Sequence, residues 1–325
     1  MPTRRAALLA APALLLAPAA PAQTRWQAAS GFAEGNYHTR NLRQFIAEVR
    51  EATSGALDIQ LHANGSLLPQ PQIKRGVQQA QVQIGEILLT AYANEDPIFD
   101  MDQVPGVVAS MADARRLMVV RGPAIESRLA RQGMALLYLS PWPFVGIATN
   151  IPLPDAAAFR ALRLRAYSAI SNRFGVLMGA QTVLLPAPEV PQAFASGLIN
   201  AQLTTAPVAA DTAVWDTSRV FTLLNIATSN NAVFVNRRAL EALPAAQQQA
   251  LRQAAARAAE RGWQLAAEAH EHAVSRMRER GMQVQEPTAE LLAGLREPAR
   301  VLTEEWASRA GEEGQRLLSA YRAQG

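Results

Sequence analysis

The chain is 325 residues long, 49% hydrophobic and 18% charged, with a formal net charge of +4 and no cysteine. That is globular composition with apolar mass for two packed cores, so two lobes are the first expectation. It excludes a disulfide-stapled scaffold, a cysteine nucleophile and a thiolate metal site, and the interspersed acidic and basic residues exclude a nucleic-acid surface.

The opening MPTRRAALLAAPALLLAPAAPAQ places two arginines before a proline-broken apolar run that ends on Ala20-Pro21-Ala22. This is the layout of a cleavable signal peptide over residues 1–22. Thr3-Arg4-Arg5 fits a twin-arginine export signal as well as a general secretory one. Removing Arg4 and Arg5 leaves a net charge of +2, and export without disulfides points to a Gram-negative periplasm. No later stretch reaches about 18 uninterrupted apolar residues, so the mature chain is read as not membrane-spanning.

A short strand is expected at Arg25 to Ala29. Leu42, Phe45, Ile46 and Val49 then follow the spacing of an amphipathic helix stopped by Gly55. ALDIQLH alternates as a strand, PQIKRGVQQAQ is a short helix, and VQIGEILL is a strand again. This β-α-β-α-β order argues for a parallel sheet covered by helices. A second cycle starts near Leu136, with strands at ALLYLS, LRLRAY, TVLLP and LINAQLTT. Helical segments at DAAAFRA, AISNRFGVLMGA and APEVPQAFASG alternate with them. The boundary falls in the proline-rich SPWPFVG, and AVFVNRRAL supplies a further strand able to return to the first lobe. From Pro244 to Gly281 an alanine-rich run has high helix propensity, interrupted only by Gly262. If unbroken, about 38 residues at about 1.5 Å each give roughly 57 Å, enough to touch both lobes. The alternative is two helices broken at Gly262.

His270 and His272 stand two apart on this helix and make a poor metal pair. No G-x-S-x-G, P-loop, H-E-x-x-H or G-x-G-x-x-G occurs. No cofactor and no metal site is therefore expected, and the chain is read as not an enzyme. In parallel α/β sheets ligands sit beyond the carboxyl ends of the strands. Those ends carry Phe32, Glu86 to Tyr92, Trp142, Arg165 to Tyr167, Pro186 to Glu189, and Thr204-Thr205. Aromatic and hydrogen-bonding groups around one cation form an amphipathic small-molecule pocket. Each has a plainer alternative: core packing for Trp142 and Trp215, an ion pair for Glu86, strand formation for the threonines, and a solvated charge for Arg160, Arg163 and Arg165.

The stretch from Phe159 to Thr205 resembles the periplasmic substrate-binding proteins of TRAP transporters, DctP type. In that family a D-L-K-G-L-K-I-R segment precedes L-G-A-x-P, a P-E-V/L helix and A-L-x-x-G-x-x-D-G. Here the first reads Ala158 to Arg165 with the last arginine in register, followed by Met178-Gly179-Ala180, Pro188-Glu189-Val190, Ala193, Phe194 and Gly197. FIAEVREATSGALDIQLHANGSLLP, GVQQAQVQIGE and NNAVFVNRRALEALPAAQQQAL extend the resemblance over nearly the whole mature chain. It implies an α/β, type II-like two-lobed periplasmic binding protein with mainly parallel sheets and a long domain-crossing helix. Lobe I is then residues 23–145 and 231–265, and lobe II residues 146–230 and 266–325.

The family's ligand-carboxylate arginine falls on Arg165. A second arginine of some members is replaced by Phe144-Val145-Gly146-Ile147, the D-G pair by Asn200-Ala201, and a pocket asparagine falls near Thr204. These departures speak against a sialic-acid-like or C4-dicarboxylate ligand and leave one carboxylate anchor. The expected function is a monomeric periplasmic receptor that closes on an organic acid anion and delivers it to TRAP membrane permease subunits. The favoured ligand is a monocarboxylate with an apolar or aromatic body. Arg165 would clamp it in a forked ion pair. Trp142, Tyr167, Tyr37, Tyr92 and Trp215 would cover its body, and Thr204, Thr205, Asn231 and Glu86 would read its polar groups. A C4-dicarboxylate or sugar acid is the alternative ligand, and a periplasmic sensor or enzyme on the same scaffold the alternative role.

Overall fold

A computed structural model describes residues 23–324, so the expected signal peptide lies outside the described residues. The first α/β cycle forms as its periodicity predicts: β1 (Thr24–Ser30), α1 (Tyr37–Ala52), β2 (Leu57–His62), α2 (Gln70–Gln78) and β3 (Ile84–Leu88). Asn36 caps α1 by accepting from the His38 amide, and the helix buries Leu42, Phe45 and Val49. β1 pairs in parallel with both β2 and β3.

Two 3-10 segments follow, Leu89–Tyr92 and Pro97–Gln103, then α3 (Met111–Arg131) and β4 (Met134–Pro141). The sequence pattern predicts no element between Tyr92 and Leu136, and the reason is visible in α3. Its buried face includes Arg121, which pairs with Asp102, and Arg128, which pairs with Asp96 and Glu313. Cations on the inner face and Pro123 within the helix erase the apolar stripe.

β5 (Val145–Thr149) begins inside the proline-rich boundary segment and is the first strand of the second sheet. The 3-10 segment Ala156–Ala161, β6 (Arg163–Ala166), α4 (Ala169–Leu177), β7 (Gln181–Leu184), α5 (Val190–Ala195), β8 (Ala201–Thr205) and α6 (Ala206–Asp211) complete the second cycle. β9 (Val220–Thr222) precedes β10 (Asn230–Asn236), which returns to the first sheet as predicted. The chain ends with α7 (Arg237–Glu241), α8 (Ala245–Glu279), β11 (Gln283–Gln285) and α9 (Ala289–Arg322).

The strand orders are β2-β1-β3-β10-β4 and β11-β9-β5-β8-β6-β7. All pairings are parallel except those of β10 and β5, the two strands flanking the crossings between sheets. The fold is thus an α/β two-sheet architecture with mainly parallel order, joined at β4–β5 and β9–β10.

The long crossing helix expected from the sequence forms, and the alternative of a break at Gly262 does not: α8 is one 35-residue helix that runs through it. Its length is about 52 Å, and it packs on α1 and β4 of the first sheet, then on α6 and β11 of the second. Gly262 is buried where α8 crosses β4, and a Cβ there would stand 2.7 Å from Ser140 Oγ. Close approach, not helix breaking, explains the glycine. α9 is similarly shared, packing on α3 and Pro97–Gln103 as well as on α4 and Ala156–Ala161. The buried Trp306 fastens it by donating from Nε1 to the Pro97 carbonyl, 2.8 Å.

Candidate functional site

The carboxyl ends of the strands of both sheets face a shared cavity of about 450 Å³. Phe32 after β1, Leu88, Ala91 and Tyr92 after β3, and Trp142 after β4 line it from the first sheet. Arg165 and Tyr167 at the end of β6, Leu184 to Ala187 after β7, and Thr204-Thr205 of β8 line it from the second. Ser229, on the connection from β9 to β10, completes the wall between them.

Arg165 is set into this wall with 4% of its surface exposed. Its Nε donates to the Leu185 carbonyl and its Nη1 to the Leu203 carbonyl, both at 2.9 Å. These carbonyls belong to the strands' ends on either side of β6, so sheet geometry fixes the guanidinium plane. The Tyr167 ring centroid lies 5.6 Å from Arg165 Cζ, a cation–π support. No carboxylate among the described residues forms an ion pair with Arg165. Burial pulls its pKa down to about 10, the mark of a cation without a counter-charge.

Tyr167 is held in turn. Its hydroxyl donates to Gln103 Oε1 at 2.6 Å, and Gln103 Nε2 donates to the Thr228 carbonyl on the connection between sheets. Burial raises the Tyr167 pKa, so the phenol stays neutral and a donor. Gln103 therefore ties the ring under the anchor to the crossing point, a role no sequence pattern signalled.

Trp142 forms the opposite wall. Its Nε1 donates to Asn231 Oδ1 at 2.8 Å, Asn231 Nδ2 donates to Glu86 Oε1 at 3.1 Å, and Ser30 Oγ donates to Glu86 Oε2 at 2.6 Å. Tyr37 packs edge-on against Trp142 with centroids 5.4 Å apart and donates its hydroxyl to the Pro141 carbonyl at 2.6 Å. His38 sits between them with its centroid 4.2 Å from Trp142, and its Nδ1 is 3.9 Å from Glu86 Oε1. Burial raises the Glu86 pKa and lowers that of His38, so both are pushed toward neutrality.

Of the residues expected from sequence, the structure brings Arg165, Trp142, Tyr167, Tyr92, Thr204 and Thr205 together on the cavity. Thr205 Oγ1 is buried and has no hydrogen-bond partner among the described residues. Glu86, Asn231 and Tyr37 do not line the cavity; they form the buried layer that holds Trp142. Trp215 lies elsewhere, packed against the buried cluster of the second sheet that includes Phe221, Val274 and Met277, with Arg276 and Arg280 over its ring at 5.1 and 5.3 Å. Gln70, Pro71, Asn94 and Glu95 line the cavity but were not foreseen, since they sit at the start of α2 and in a loop rather than at a strand end. No group of acidic or histidine side chains among the described residues is arranged to hold a metal ion, and no helix among them is long and apolar enough to cross a membrane.

Two α/β lobes around a cleft with, among the described residues, a single unpaired buried cation define a solute-binding protein. The chain belongs to the DctP family, bacterial extracellular solute-binding protein family 7, whose model matches residues 29–309. Among solved structures it is similar to DctP7 of Bordetella pertussis, an extracytoplasmic solute receptor binding pyroglutamic acid. The two are 39% identical with a TM-score of 0.90, covering 92% of this chain and 99% of that one. DctP6 of the same organism, also binding pyroglutamic acid, is 38% identical with a TM-score of 0.90, covering 92% and 100%. A marine metagenome TRAP solute-binding protein specific for pyroglutamate is 26% identical, TM-score 0.89, covering 93% and 99%. A curated solute-binding protein of Albidiferax ferrireducens is 24% identical over 173 residues; the match spans 53% of this chain and about half, 51%, of that relative.

Proposed function

We propose that this protein is the periplasmic receptor of a TRAP transporter for a small monocarboxylate built on a compact ring, of the pyroglutamate kind. The observation that carries this reading is Arg165: a buried guanidinium on a cavity wall, oriented by two carbonyls and lacking a carboxylate partner. A ligand carboxylate supplies the missing counter-charge, and charge-assisted pairs of this kind are the strong ones in a dry site. Trp142, Phe32, Leu184 and Pro186 offer apolar surface in the same cavity for the ring's carbon atoms. Likeness to two pyroglutamate receptors at 39% and 38% identity supports the ring acid over a larger aryl acid. Closure of the lobes would be favoured by contacts made only when the ligand bridges both walls. The closed form would deliver its cargo to the TRAP permease subunits, after export directed by residues 1–22.

Isothermal titration with L-pyroglutamate, neutral sugars and C4-dicarboxylates tests the proposal. Saturable binding of pyroglutamate without turnover, abolished in Arg165→Ala, is expected. Full affinity in the alanine variant, or a response to neutral sugars alone, overturns it.

A further inference from the structure

Two charged side chains line the cavity among the described residues, and they come from opposite lobes: Arg165 and Glu95. Glu95 stands in the loop after the Leu89–Tyr92 segment. The ammonium of Lys74, the only lysine of the chain, bonds its Oε2, and Gln132 Nε2 reaches the same atom at 3.4 Å. Lys74 is buried, stands 5.3 Å from the Tyr92 ring centroid and does not itself line the cavity. Oε1 of Glu95 accepts no hydrogen bond among the described residues, and the side chain keeps 35% of its surface exposed. One oxygen is thus pinned and the other is unclaimed at the wall of the cavity.

Resting on the carboxylate-receptor reading of this cavity, we propose that Glu95 sets ligand class: its free oxygen accepts an N–H or O–H from the bound monocarboxylate and rejects a second carboxylate. An ionised carboxylate only accepts hydrogen bonds, so whatever faces Oε1 in a closed site must donate. A lactam N–H or a hydroxyl meets that requirement. A second carboxylate, or a ring oxygen in place of N–H, sets acceptor against acceptor and leaves both desolvated without compensation. The lysine cannot rescue a second carboxylate, because Glu95 and Tyr92 line the wall where it does not. The cavity therefore has an anion-accepting lobe and a donor-accepting lobe, which selects lactam and hydroxy acids over diacids.

The test is calorimetric titration of three ligands: L-pyroglutamate; 5-oxotetrahydrofuran-2-carboxylate, the same ring with oxygen for N–H; and glutarate. In the wild type the lactone and the diacid should bind about tenfold or more weakly than pyroglutamate, the size of a lost hydrogen bond to a charged group. Glu95→Gln removes the charge at nearly constant shape and should shrink the gap between pyroglutamate and glutarate by about tenfold. Equal wild-type affinity for lactam and lactone overturns the proposal without recourse to any variant, as does an unchanged lactam-to-diacid ratio in a folded Glu95→Gln protein. Failure of all three ligands to bind is a different result: it overturns the carboxylate reading and this inference with it.

Discussion

Gly262 of α8 and Ser140 of β4 touch at the point where the long helix crosses the first sheet, leaving no room for a Cβ on the helix side. Alanine would gain about 1 kcal/mol of helix propensity over glycine, yet overpacking of this contact costs about 1–3 kcal/mol. Gly262→Ala should therefore lose stability, and Ser140→Ala in the same chain should recover most of it. The Ser140 hydroxyl makes no hydrogen bond among the described residues, so its removal forfeits little. Urea denaturation of the single and double variants measures both effects.

Arg165→Lys separates charge from shape at the anchor. Lysine keeps the cation but cannot hold the Leu185 and Leu203 carbonyls while presenting a forked pair of donors. The expected loss is about 2 kcal/mol of carboxylate affinity, roughly 30-fold. Calorimetry against the preferred carboxylate, with a melting curve of the unliganded variant as control, checks it.

Gln103→Ala should weaken binding although Gln103 does not line the cavity. The Tyr167 hydroxyl loses its acceptor, at a cost of about 1–3 kcal/mol in stability, and the ring is no longer held under the guanidinium. The affinity loss should appear chiefly as faster dissociation, read by stopped-flow from the intrinsic tryptophan signal.

Asp100 supplies a pH dependence. Burial outweighs the neighbouring Arg309 and raises its pKa from 3.8 to about 6. The folded protein holds this proton more tightly than the unfolded chain, so the associated stability is full below pH 3.8 and lost as pH rises through about 6. At neutral pH the group is a buried carboxylate with one oxygen unsatisfied. Asp100→Asn should melt higher than the wild type at pH 7.5, with the advantage shrinking steadily toward pH 4. Melting curves across that range decide it.

Much of the site was legible because strand order dictates where a ligand lies. Once two parallel cycles are recognised, the carboxyl ends of their strands name Trp142, Arg165, Tyr167 and Thr204-Thr205 without any side-chain detail. Alternation alone could not separate Arg163 from Arg165, since both point to one face; strand length did, leaving Arg163 exposed at the start of β6 and Arg165 buried near its end. The rule fails for Glu95 and Gln70, whose positions depend on loop and helix placement. It also cannot tell a wall from the layer behind it, which is why Asn231 and Glu86 fall beneath Trp142 rather than beside a ligand. α3 stayed hidden because ion pairs, not apolar residues, fill part of its inner face.

The buried face of α8 carries Ala250, Ala254, Ala258, Gly262 and Ala266, one small residue on each successive turn. Larger side chains bracket this row: Leu251 near the start of the helix is buried in the core of the first sheet, and Val274 and Met277 near its end are buried in that of the second. The rod is thus closely approached along its middle and seated at both ends, a strut through which the two halves share their stability. Leu251→Ala and Met277→Ala, at opposite ends, should therefore each lower a single common melting transition rather than loosen one half alone.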